Sequence, residues 1–401
     1  MKKYWWITLV LVFALAIPAA AAQVIKIYIN GAELKSDVPA QIINGRTMVP
    51  IRAIAENFGK KVDWNESKKT VTITGKTNLE LVSTISKEWA AAGHAIMKEP
   101  LAYAGPRDAC QPCHSGNGIQ RLGSTDSYKP GKGILSNPLA TNKTWDPEGK
   151  YAANTFMFDP HTAELPSAID CAACHTGAGA AIMKSGVVPG SANVFSPGTD
   201  WKVGKAEALC FTCHNGRRNV KGIYQKWATP GAAKENSYPH HAWGALVTGL
   251  GGMEYPDIKY PQSTTHQSIG CIGCHMAKTK DGYVSHTFKP VIATCNKCHP
   301  GQTEFTMDGK LKKELEEKAA TLEKLVLAKI PGAVRIGISY SDSPAVDKDG
   351  KRIDSKDIPL EALVGAYNWT LIHQELTMGG KGVHNPQYAK ALLNESIKKL
   401  Q

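Results

Sequence analysis

Between Gly270 and Pro300 the chain reads GCIGCHMAKTKDGYVSHTFKPVIATCNKCHP, with the pentapeptide C-x-x-C-H near each end and one further histidine, His286, between the two copies. In such a pentapeptide two thiols can add to the vinyl groups of a haem while the following histidine is held under the ring as an iron ligand. The pattern occurs five times, as Cys110, Cys113, His114; Cys171, Cys174, His175; Cys210, Cys213, His214; Cys271, Cys274, His275; and Cys295, Cys298, His299. All ten cysteines are thereby used. A zinc ribbon takes cysteine pairs in twos and needs no histidine at one fixed offset, and five pairs do not divide that way. A disulfide framework gives no reason for the histidine either. The pattern therefore reads as five covalent haem c sites.

Length and composition agree with a cofactor-rich body. The 401 residues are enough for two or three domains, yet only 7% are aromatic. Porphyrin faces can supply the flat apolar surface that side chains otherwise provide, and little regular sheet is expected. The formal charge of +12 invites a nucleic-acid or anionic-lipid reading. Each haem brings two propionates, however, which offset most of that excess, and no nucleic-acid partner is expected.

The start, MKKYWWITLVLVFALAIPAAAAQ, has two lysines, a short apolar run and small residues ending at Ala22. It reads as a secretory signal peptide over residues 1–22, too short in its apolar run for a preferred membrane span. An exported protein is expected, extracellular or at the cell surface, with the periplasm as the alternative.

Residues 23–76 form a module of their own. IYINGAEL reads as two short strands around Asn30-Gly31, GRTMVPIRAIAENFG passes from strand to a helix opened near Pro50 and closed by Gly59, and VDWNESKKTVTIT makes a last hairpin. On these stretches the module resembles the N-terminal domain of copper amine oxidases, also carried by many exported proteins of Gram-positive bacteria. It holds no histidine or cysteine, so no copper chemistry is expected of it. A contact role at the cell wall or surface is.

From 77 to 305 a pentahaem domain is expected, opening with a helix whose apolar face carries Leu79, Val82 and Trp89 and packs on the haem body. The long stretch 115–170 lacks periodicity and reads as loop wrapped on cofactor. Residues 306–401 read as helices: KLKKELEEKAATLEKLVLAKI with Leu311, Leu315, Leu322 and Val326 on one face, a second from Pro359 to Thr377, and a third capped by Asn385 and started by Pro386. The fold class expected is a multihaem cytochrome c fold, mainly α-helix and haem-wrapping loops with C-terminal helices, behind a small α+β N-terminal domain.

Five motif histidines leave His94, His161, His240, His241, His266, His286, His373 and His384 as sources of second iron ligands. The candidates are His94, His266, His286, His384 and one of His240 and His241. His161 is a weaker candidate, and His373 fits a helix core. Met97, Met157, Met253 and Met276 read as packing, as do Tyr283, Trp201 and Trp243. Imidazole on both faces leaves an iron no vacant position, which favours electron transfer over substrate binding.

His266, CIGCHM, His286, CNKCH and, further on, GVHNPQY with His384 resemble the pentahaem cytochrome c nitrite reductases and the wider hydroxylamine oxidoreductase superfamily. That resemblance implies His286 as partner of the second site, His94 of the third, His384 of the fourth and His266 of the fifth. It departs at the first site, where the reductases usually carry C-x-x-C-K and this chain has CQPCH with His114. Two functions follow. The first is an electron carrier with five bis-histidine haems, passing electrons to redox partner proteins, to other copies of itself as an assembled wire, or to an extracellular metal oxide. The alternative is a nitrite or hydroxylamine reductase with an open first haem, where Arg217, Arg218 or Tyr238 would serve the substrate.

Overall fold

The computed structural model describes residues 25–29, 31–96, 111–120, 168–190, 194, 199–262 and 265–401. The leader, Cys110, His161, Met97 and Met157 lie outside the described residues. Two compact units form, one running to Thr84 and taking in Lys278–Val284, the other made of the remaining residues from Ile85 on.

The first unit is a small α+β module. β1 (Tyr28–Ile29) pairs antiparallel with β2 (Ala32–Glu33), and β3 (Gln41–Ile43) with β4 (Arg46–Met48). Between β3 and β4, Asn44 and Gly45 both take positive φ, 51° and 73°, the two-residue turn that matches strand twist. α1 (Ile51–Asn57) starts after Pro50 and ends at Gly59, whose φ of 71° lets its N–H return to Glu56 O. β5 (Lys61–Asn65) and β6 (Thr70–Thr74) make the last hairpin, in register Val62 to Ile73 and Trp64 to Val71. α2 (Asn78–Ala90) opens on a reciprocal cap in which Glu80 accepts from Thr77 N at 2.7 Å and Thr77 Oγ1 accepts from Glu80 N at 3.2 Å. The apolar face expected of α2 is only half used. Leu79 stays 80% exposed and Val82 61%, whereas Trp89, beyond the division at Thr84, donates Nε1–H to Ile169 O at 2.8 Å.

In the second unit the described helices ahead of residue 306 are short, and five of the nine carry cysteines of the motifs. They are α3 (Gln111–His114), α4 (Gly116–Gln120), α5 (Cys171–His175) and α6 (Gly177–Ser185), then the ladder β7 (Val187–Val188) with β8 (Trp201–Lys202). α7 (Ala208–Cys213), α8 (Val220–Ala228), α9 (Trp243–Thr248), α10 (Thr265–His275) and α11 (Ile292–Cys295) follow. A C-x-x-C step on one helical turn sets both sulfurs on the same face. Asp170 caps α5 by accepting from Ala173 N at 2.9 Å. α10 breaks at Gly270 (φ 74°, ψ 177°), where a Cβ would collide with the Glu207 carboxylate. That break lets His266 and the following motif point in different directions.

The C-terminal part is a three-helix bundle of α12 (Lys310–Lys329), α13 (Leu360–Thr377) and α14 (Pro386–Leu400), with the small ladder of β9 (Arg335–Ile336) and β10 (Ala345–Val346) between the first two. The α12 face is the one its spacing predicts, with Ala319 added to Leu311, Leu315, Leu322 and Val326. α13 is buried nearly all round. Asn368 on it is fully buried and satisfied: its side chain accepts from Met253 N at 2.7 Å and donates to Met253 O and Ser396 Oγ. Those bonds seat the 240–262 segment against the bundle. Among the described residues no helix is long and apolar enough to cross a membrane.

Candidate metal centres

Each motif histidine faces a histidine from elsewhere in the chain. Ring centres of His114 and His240 lie 6.1 Å apart, those of His175 and His286 6.2 Å, His214 and His94 6.2 Å, His275 and His384 6.2 Å, and His299 and His266 6.4 Å. The distance barely changes, while the interplanar angle runs from 7° to 77°. Ring packing ties distance to tilt, since offset stacks and edge contacts differ in both. A shared metal does not: a metal–imidazole bond is about 2 Å and the ring centre lies about 1 Å beyond the nitrogen, so opposed ligands sit about 6 Å apart at any rotation.

Five of these imidazoles are biased toward the neutral form; His384 is not, since against the burial that lowers it the Glu375 carboxylate raises it above the usual value. Burial pushes His114 down to about 4 and both His214 and His240 down to about 3, with neighbouring cationic groups adding to it. His94 and His275 are lowered for the same reason. Neutral imidazole is the form that binds metal. His240 Nε2 is buried with no hydrogen-bond partner, an orphan that in a native interior calls for a ligand.

Several Nδ1 atoms are tied, which turns Nε2 toward the facing ring. His275 Nδ1 donates to Phe288 O at 2.9 Å, and a carbonyl can only accept, which fixes that tautomer. The Tyr238 hydroxyl lies 2.7 Å from His240 Nδ1. Glu375 accepts from His384 Nδ1 at 2.8 Å, and His266 Nδ1 makes a longer contact, 3.4 Å, to His384 O. The His286 backbone is clamped instead, its N–H donating to Glu88 at 2.8 Å.

The centres adjoin one another. Cys113 and Cys213, from the first and third motifs, are hydrogen-bonded through sulfur, as are Cys210 and Cys271 from the third and fourth. Phe288 holds its ring against His94 at 4.5 Å and His286 at 6.2 Å while its carbonyl takes the bond from His275. One residue thus touches the second, third and fourth histidine pairs, and it does so at a φ of 55°.

Of the two neighbours left open by the sequence, His240 faces His114. His241, at φ 49°, turns aside to pack 5.2 Å from Trp243. His373 stacks on Trp369 at 4.6 Å and faces no motif histidine. Met253 is fully buried packing. Arg218 donates to Tyr238 O at 3.2 Å and lies over its ring, so Tyr238 is held as a partner of His240. Sequence reading missed Glu375, Glu88 and Phe288. For Glu375 a signal existed: a carboxylate inside an apolar helix, followed by GGKG and then His384.

The residues fit haem better than a bare ion. Each histidine pair offers two facing imidazoles, one of them directly after a C-x-x-C step, which is the donor set a covalently held haem would take. Nine cysteines fall within the described elements and all are free thiols.

Residues 25–97 match the copper amine oxidase N-terminal domain, in agreement with the resemblance of the module, and the match stops short of the first cysteine motif. No curated protein and no solved structure matches the chain.

Proposed function

We propose that the chain is an exported pentahaem c-type cytochrome that carries electrons rather than transforming a substrate. The observation that carries this reading is the set of five facing histidine pairs at 6.1 to 6.4 Å, each with one member in a C-x-x-C-H motif. When bound, each haem would supply a one-electron iron couple, and closely spaced couples form a path for electrons.

The chain's own part is to anchor, orient and space those groups. Ten cysteines would form the thioethers, and His114, His175, His214, His275 and His299 the proximal bonds. His240, His286, His94, His384 and His266 would close the opposite faces. Tyr238, Phe288 O and Glu375 hold ring orientation through Nδ1. With His240 opposite His114, a haem held there would have no open face for nitrite or hydroxylamine, and this favours the carrier over the reductase. Electrons would pass to a redox partner protein, a further copy of the chain or an extracellular metal oxide. The N-terminal module would supply contact with the cell surface or wall.

Haem content by pyridine haemochrome, with low-temperature EPR and optical spectra of the oxidised protein with and without nitrite and hydroxylamine, tests the reading. Five haems per chain, all low-spin and unmoved by either compound, are expected. One high-spin haem that responds to added nitrite or hydroxylamine would transfer the assignment to the reductase.

A further inference from the structure

The five centres are not equivalent, and the fourth stands apart. His275 and His384 are the pair whose Nδ1 atoms are both bonded at short range, to Phe288 O and to Glu375, and their rings are parallel within 7° where the other four pairs are tilted by 33° to 77°. Glu375 is a buried carboxylate, its side chain 1% exposed. Both its oxygens lie within 2.9 Å of His384 Nδ1, and Oε1 also accepts from Gly382 N at 3.1 Å.

The chain is moulded to this carboxylate. Gly380 lies so close that a Cβ would collide with the Glu375 oxygens, and a Cβ at Gly382 would strike Leu315. Gly379, Lys381 and Gly382 all take positive φ, 109°, 55° and 89°, which is the backbone freedom that GGKG provides. Lys381 turns its N–H to Glu375 O at 2.7 Å, not its side chain to the carboxylate. The imidazole of His384, through Nδ1, is the side-chain partner of the Glu375 carboxylate at this site.

From this arrangement we infer that Glu375 sets the fourth centre, His275 with His384, as the lowest-potential member of the chain's five. The inference rests on the pentahaem reading. A carboxylate accepting Nδ1–H makes the imidazole a stronger donor to its metal, which stabilises the oxidised iron. The full negative charge, held in a poorly screened interior, favours the same state. Tyr238, the corresponding partner of His240, is a neutral phenol, and the partner of His266 is a backbone carbonyl at 3.4 Å. Neither brings a charge. Glu375 is thus a positioning and tuning residue: it touches the ligand, not the iron.

The test is a spectroelectrochemical titration of the full-length holoprotein beside its Glu375→Gln and Glu375→Asp variants, with haem content and EPR recorded on each. In Glu375→Gln one couple of five, the lowest, rises by at least tenfold in its reduction equilibrium, about 59 mV for one electron, and the other four stay. Glu375→Asp keeps the charge and restores most of the original value. If Glu375→Gln holds five low-spin haems and no couple moves, or if both variants shift alike, the inference is overturned. Loss of one haem in both variants would make Glu375 a structural anchor only and overturn it as well. A wild-type protein without five haems would instead sink the pentahaem reading itself.

Discussion

The motif segment 265–305 and the bundle that follows it are neighbours in sequence and are held together by different means. In the bundle Leu315, Leu322, Ile372, Tyr388 and Leu392 are fully buried against one another, and each such side chain contributes about 1.5–3 kcal/mol by leaving water. Along α10 and α11 no side chain is fully buried, although this stretch carries four cysteines and the histidines of three facing pairs. Its regular contacts are hydrogen bonds to backbone, such as His275 to Phe288 and Asn296 to Gln302. The difference teaches that one part folds on its own side chains while the other lacks such a core and, on the proposed reading, would be organised around haems held by its thiols and imidazoles.

On the proposed reading, withholding haem by expressing the chain without residues 1–22, the stretch read as an export leader, breaks the comparison most sharply. Hydrogen exchange across 265–305 is expected to become unprotected, since metal and cofactor binding there is folding free energy. α12, α13 and α14 are expected to keep much of their protection. Equal protection in both parts would mean that the motif segment has a side-chain core after all.

Next in size is His240→Ala. Opening the face opposite His114 should convert one haem of five to high spin, read by EPR, and let nitrite perturb a spectrum that was inert to it. Five low-spin haems in that variant would place another ligand on the first centre and return His241, 4.7 Å away, to candidacy.

Leu322→Ala acts on the other side of the comparison. The side chain is fully buried between α12 and its neighbours, so the cavity is expected to cost about 2–5 kcal/mol in denaturant or thermal unfolding. The haem spectra should stay unchanged. A spectral change would show that bundle packing reaches the centres.

The two parts were also unequally legible in the sequence. The bundle could be read from spacing, because Leu311, Leu315, Leu322 and Val326 obey helical periodicity and Asn385-Pro386 punctuates the last helix. The module could be read the same way from Asn30-Gly31, Pro50 and Gly59, although the two-residue turn at Asn44-Gly45 was not read. The motifs announced five sites, and the superfamily resemblance supplied partners for four of them. For the first, spacing could not choose between His240 and His241, because the choice depends on a positive φ at His241 and a hydrogen bond between His240 Nδ1 and the Tyr238 hydroxyl. Phe288 was invisible for a related reason: its contribution is a carbonyl and a ring placed by backbone strain, which no residue pattern encodes. α2 misled in part, since an amphipathic spacing says which face is apolar and not where along the helix the partner ends.

The smallest change joins the two regions. Asn385 caps α14 by accepting from Tyr388 N at 3.2 Å and is itself 1% exposed, so Asn385→Ala should cost about 1 kcal/mol of stability. Its neighbour in the chain is His384, whose ring faces His275 and whose carbonyl takes the contact from His266. A freed first turn of α14 lets the His384 backbone rotate, and the EPR lines of the fourth and fifth centres should broaden while the other three hold. Stability falling with all five lines unmoved would show that the glycine loop and Glu375 alone fix His384. The bundle would then be a support for the centres and not a part of them.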